Sequence, residues 1–174
     1  MLTLIAAEAA IFTIFVVAYL FYIGKSVSGP MPKDVLELPI FDTACLLSSS
    51  LTIHLAVRAL RNAKVSAFGL WWFVTITLGT IFLVGTGREW RHLISEKGLT
   101  ISTNLFGTTY YSLVGLHAFH VTAGLIVLAM GMIFTLFGKV TPEHSERADI
   151  FSLYWHFVDV VWVIVFTVVY VIGR

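Results

Sequence analysis

Five apolar stretches, at about 2–23, 40–60, 68–86, 106–137 and 150–172, leave the 174-residue chain few ways to fold. Each can cross roughly 30 Å of hydrocarbon at the helical rise of about 1.5 Å per residue. Hydrocarbon offers no water to backbone N–H and C=O groups, so such segments must satisfy them internally as helices. With 58% hydrophobic and 12% charged residues and a mean hydropathy of +0.91, the chain has too little polar surface for a soluble domain. The expected fold is therefore all-α: a polytopic membrane protein forming a single five-helix transmembrane bundle, one domain over 1–174. The segments between the spans are 24–39 with three prolines, the basic turn at 58–67, then 87–105 and 138–149, and none is long enough to fold separately.

The first apolar run carries Glu8 and lacks both a basic leader and a small-residue cleavage site, so it reads as a retained helix and not as a signal peptide. Cys45 is the sole cysteine; it cannot form an internal disulfide and reads as packing. A net charge of +1 favours no nucleic-acid partner. No internal repeat and no paired Gly/Pro interruption of the spans supports a proton-coupled transporter.

Chemistry concentrates in the last span. Tyr154-Trp155-His156-Phe157-Val158-Asp159-Val160-Val161-Trp162 places a histidine, a carboxylate and two tryptophans in an otherwise apolar helix. Ionisable groups at that depth imply partners. Trp155, Asp159 and Trp162 follow helical spacing, and His156 is a turn from Asp159, so this stripe should face protein. Gly115-Leu116-His117-Ala118-Phe119-His120-Val121, Arg88-Glu89-Trp90, Glu37-Leu38-Pro39 and Thr75-Ile76-Thr77-Leu78-Gly79 complete the motifs.

Together with Glu8 in the first helix, these blocks resemble subunit III of the haem-copper terminal oxidases over nearly the whole chain. Longer members of that family have two further helices ahead of the position of Met1, so this chain looks like the five-helix form. The resemblance implies an N-terminus inside and a C-terminus outside. Charge hardly decides: Arg58, Arg61, Lys64, Lys139 and Arg147 fall on one side, and Lys25, Lys33, Arg88, Arg91 and Lys97 on the other, before Arg174 is counted. It also implies a subunit without its own redox centre, with haems and copper in partner subunits and oxidase subunit I as the catalytic neighbour. Bound phospholipid and a bacterial inner-membrane location follow from the same likeness. The family glutamate at the position of Glu8 is implicated in supporting proton uptake.

With that orientation, Glu8 and Asp159 would lie roughly 10–13 Å from the inner face and His54 and His120 about 9 Å from it, with His156 nearer the edge. These five form an expected polar layer. One reading is a structural hydrogen-bond network that also involves His117. A second is haem ligation. His117 and His120 lie three residues apart on one helix and cannot be the two axial ligands, so a pair would need His120 with His54 or His156. A third is a proton path through Glu8. Alanines flank Glu8 on both sides, so a merely tolerated carboxyl competes with each of these.

Arg88–His92 is expected to snorkel at the outer end of the third helix, with Trp90 in the aromatic belt and Glu89 as a contact residue matching the family glutamate. Trp71 and Trp72 should mark the inner interface, and Trp155 and Trp162 complete the aromatic interface set. Ser112, Gly115, Ala118 and Thr122 suggest a close-packing stripe. Asp149 stands where the family usually has a longer glutamate. Helix 1 is expected to expose Phe12, Phe15, Tyr19 and Glu8 on the side that the additional helices of longer members cover, leaving room there for another polypeptide. The functional expectation is a non-redox subunit of a cytochrome c oxidase that stabilises the oxygen-reducing subunit, holds lipid and sustains proton uptake. Subunit III of a quinol oxidase, an accessory subunit of nitric oxide reductase and a haem-bearing electron carrier are the rivals.

Overall fold

The computed structural model describes residues 2–26, 29–30 and 32–173. Met1 and Arg174, the ends of the expected domain, lie outside the described residues, as does the side chain of Lys33. The described chain is all-helical: α1 (Leu2–Tyr22), a short α2 (Pro32–Val35), α3 (Ile40–Arg61), α4 (Val65–Ser95), α5 (Leu105–Leu136) and α6 (Ser145–Phe166). Five of these helices are long and apolar enough to cross a membrane. A 3₁₀ turn, Pro142–His144, leads into α6, and a π-helical segment, Thr167–Ile172, continues it. The π segment closes with Gly173 N–H donating to the carbonyl of Val168, five residues back, at 2.9 Å.

Two helices outrun their apolar stretches. α4 continues to Ser95 because nothing between Gly87 and Ser95 breaks the backbone hydrogen-bond ladder, although its hydropathy falls. The Arg88–His92 cluster is therefore helical and presents one side inward. α6 starts at Ser145, set by Pro142 at the head of the preceding turn and by Thr141, whose N–H donates to His144 Nδ1 at 3.1 Å. At the start of α5, Asn104 Oδ1 accepts the N–H of Gly107 at 2.8 Å, an N-terminal cap.

Internal contacts divide the chain into two compact units. The first comprises Met1–Pro39, Gly85–Phe119 and Val160–Arg174; the second comprises Ile40–Val84 and His120–Asp159. α4, α5 and α6 each supply a segment to both.

In the first unit, α1 turns Phe12 and Tyr19 inward. Phe12 meets the His117 ring edge-on at 6.4 Å and Tyr19 meets Phe106 at 6.5 Å. This corrects the expectation that helix 1 would expose Phe12 and Tyr19. The outward face carries Leu4, Ile11, Ile14, Val17, Leu20 and Phe21, while Phe15 and Glu8 are half-buried. Phe12 and Tyr19 find ring partners inside, while the aliphatic side chains and Phe21 are left on the surface. Phe106, Tyr110, Tyr111, Trp162 and Tyr170 build the rest of this core.

In the second unit, two indoles occupy slots opened by glycines. A Cβ on Gly79 of α4 would come within 2.9 Å of the Trp155 ring, and so would one on Gly124 of α5. Only glycine leaves room there, because real Cβ atoms do not approach that closely. Gly131, two turns beyond Gly124, receives Trp72 in the same way, with 3.2 Å to the nearest ring atom. The close approaches on α5 fall at Gly107, Gly124 and Gly131; of the expected stripe, Gly115 meets Trp90 at an ordinary contact distance of 3.4 Å and Thr122 is exposed. With lipid as apolar as the side chains, such steric fit is what holds helices together.

Candidate functional site

The second unit gathers the ionisable groups of α6 around the serines of α3. Ser50 Oγ donates to Asp159 Oδ2 and lies 2.9 Å from His156 Nδ1. A hydroxyl carries a single proton, so Nδ1–H of His156 donates to Ser50 while Nε2 accepts from Ser152 Oγ at 3.2 Å. Both ring nitrogens are thus engaged by hydroxyls. Asp159 is 3% exposed, and its second oxygen, Oδ1, is buried with no hydrogen-bond partner among the described residues. One turn earlier on α6, Trp155 Nε1 donates to Ser49 Oγ at 2.8 Å. Across α4 and α3, Thr52 and Thr75 hydroxyls meet at 2.7 Å.

Of the expected polar layer, the structure brings together His156 and Asp159. His54 is exposed and not buried, but it lies one turn of α3 beyond Ser50 and within electrostatic reach of His156. His120 is buried, and its carbonyl accepts from Tyr154 Oη at 3.3 Å. Glu8 and His117 belong to the first unit. There His117, 1% exposed, stacks on Trp162 with centroids 4.9 Å apart.

A second cluster in the first unit centres on Glu89. Tyr170 Oη lies 2.9 Å from each carboxylate oxygen of Glu89 and 3.3 Å from Tyr110 Oη. Tyr110 and Tyr170 are wholly buried. Trp90 is half-buried against Tyr111, at 5.4 Å, and near Gly115, so it packs against protein beyond a belt role. Arg88 and Arg91 are exposed, as snorkelling side chains should be.

The tryptophans divide in the same way. Trp71 is half-buried, but Trp72 is 1% exposed and donates from Nε1 to the carbonyl of Leu128 at 2.8 Å, so it is core and not an interface marker. An indole N–H buried in the bilayer needs an acceptor, and α5 supplies one. Trp155 and Trp162 are equally buried. Asp149 pairs with Arg61 at 2.5 Å, tying the start of α6 to the end of α3.

Sequence reasoning missed the hydroxyl partners: Ser49, Ser50, Ser152, Tyr110 and Tyr170. The run Ser48-Ser49-Ser50 inside an apolar span was the available signal, since three hydroxyls in a membrane helix need acceptors.

Five helices long and apolar enough to cross a membrane define a polytopic integral membrane protein. The chain belongs to the cytochrome c oxidase subunit III family, whose profile matches residues 4–174. It is 36% identical over 171 residues to cytochrome c oxidase subunit 3 of Alkalihalophilus pseudofirmus, covering 97% of this chain and 83% of the relative. It is 38% identical over 176 residues to the subunit 3 of Synechocystis, covering 97% and 72%. Similarity extends to the cytochrome bo(3) ubiquinol oxidase subunit 3 of Pseudomonas aeruginosa, at 38% over 171 residues, with 95% and 80% covered. Members of this family are subunits of a multi-subunit oxidase, so other subunits are implied.

Proposed function

We propose that this chain is a non-redox subunit of a bacterial haem-copper oxidase, seated in the inner membrane with its N-terminus inside. It packs against the oxygen-reducing subunit I, stabilises it, holds phospholipid at their interface and sustains its proton uptake, with Glu8 as the carboxyl that serves uptake. Dioxygen reduction and proton translocation belong to the complex, whose haems and copper reside in partner subunits. The carrying observation is the family match over residues 4–174. The engagement of both His156 nitrogens by Ser50 and Ser152 supports a structural use of that imidazole over haem ligation. A quinol-oxidising complex is the second reading, favoured by the likeness to the ubiquinol oxidase subunit of Pseudomonas aeruginosa.

The test is to isolate the affinity-tagged chain from its own membranes and identify what accompanies it by mass spectrometry. Subunit I in equal amount is the expected result, and the complex should consume oxygen with reduced cytochrome c. Oxygen uptake with quinol alone would select the second reading. A chain that purifies by itself and carries a stoichiometric Soret band would overturn both.

A further inference from the structure

The second unit holds a cavity of about 380 Å³, within the range of small-molecule sites, between the end of α3, the start of α4, the end of α5 and the first turns of α6. Its walls are apolar, chiefly Phe68, Trp72 and Phe134, and its lining also includes Lys139 and His144 from the connection after α5 and Arg147 from the first turn of α6. Lys139 and Arg147 are exposed and have no ion-pair partner among the described residues. The nearby acids do not neutralise them. Asp149 is committed to Arg61, and Glu143 and Glu146 are exposed and outside the lining. The apolar part lies among residues of the membrane-length helices, and the cations sit where those helices end. That level is where hydrocarbon gives way to headgroups, and a basic pocket between transmembrane helices there suits an acidic lipid.

We infer that this cavity is a binding site for an anionic phospholipid, with an acyl chain against Phe68, Trp72 and Phe134 and the phosphodiester between Lys139 and Arg147. The inference deepens the lipid-holding part of the proposed function by fixing a site and a headgroup charge. A phosphodiester fits better than a carboxylate because it offers more acceptor oxygens to two separated cations. A zwitterionic headgroup brings a cation of its own towards Lys139 and Arg147.

The test uses the full chain in neutral detergent, titrated separately with phosphatidylglycerol, phosphatidylcholine and oleate and read by native mass spectrometry. One phosphatidylglycerol per chain should be retained, with phosphatidylcholine held about tenfold more weakly. Lys139→Gln/Arg147→Gln, a change at exposed positions, should weaken phosphatidylglycerol retention by about tenfold or more and leave phosphatidylcholine unchanged. Equal retention of the two phospholipids, or full retention of phosphatidylglycerol by the double variant, would overturn the inference. Oleate bound as tightly as phosphatidylglycerol would overturn the phosphodiester assignment. These readings are taken on the chain alone, so failure to co-purify with subunit I would count against the proposed function without touching them.

Discussion

Asp159 stands to lose more from an apolar replacement than from an amide. Its Oδ2 accepts from Ser50, which also accepts from His156, so removing the acceptor strands a hydroxyl and disturbs an imidazole. Asp159→Asn keeps an acceptor oxygen. Because in-membrane side-chain hydrogen bonds average only about 0.6 kcal/mol, Asn should lower the yield of assembled complex slightly and Asp159→Leu markedly. Equal yields on native gels for wild type and both variants would show that the cluster holds nothing together. Glu8 invites a different measurement. An apolar carbodiimide partitions into lipid, so peptide mapping should find Glu8, within the apolar run of α1, labelled ahead of Glu143 and Glu146, which are exposed outside the long apolar runs. Label confined to those two would remove Glu8 from any proton-handling role. At this scale His156 and Asp159 were legible because charge inside an apolar helix is conspicuous. Ser50 was not, since a serine hardly changes the hydropathy of its span and its partner lies on a helix more than a hundred residues away in sequence.

The fit of α6 in the second unit depends on absence of side chain elsewhere. Gly79→Ala and Gly124→Ala each push a Cβ against the Trp155 ring, and over-packing of this kind typically costs about 1–3 kcal/mol. Each should lower the thermal unfolding midpoint of the detergent-solubilised chain. Trp155→Phe should be harmful in the wild-type background but less so beside Gly124→Ala, because the smaller ring relieves the clash. Strict additivity in that double-mutant cycle would deny the contact. In the first unit, Tyr170→Phe removes the hydroxyl that meets both Glu89 oxygens, whereas Glu89→Gln retains an acceptor. The phenylalanine variant should therefore be the less stable of the two, by about 1 kcal/mol. The existence of the long helices was readable from hydropathy, and their ends were not. Hydropathy marks where hydrocarbon stops, while the backbone ladder of α4 runs on through Arg88, Glu89 and Trp90 to Ser95. The glycine slots were equally hidden, because Gly79 and Gly124 acquire meaning only once Trp155 lies against them.

Across the whole molecule, the proposed orientation makes a direct prediction. Cys45 is the only cysteine and is buried, so single cysteines placed at Lys97 and Glu143, both exposed, report sidedness cleanly after Cys45→Ser. An impermeant maleimide added outside intact cells should label the 97 position and spare the 143 position, and the reverse pattern would invert the topology. Family and helix count were legible in the sequence because the motifs around His117 and His156 sit in long apolar runs; sidedness was not, because the loop charges nearly balance. The widened turn at Thr167–Ile172 reaches beyond this chain, into its evolutionary history. A π turn is equivalent to one residue inserted into an α-helix, and each residue turns the helix by about 100°. Deleting Val168 or Val169 would restore α geometry and leave the residues on either side near their present faces, because the wide turn takes up the extra residue. Relatives one residue shorter between the Trp162 and Gly173 positions should therefore run through this stretch as plain α-helix and can still set a tyrosine against the glutamate, so that an indel and the width of one turn are inherited together.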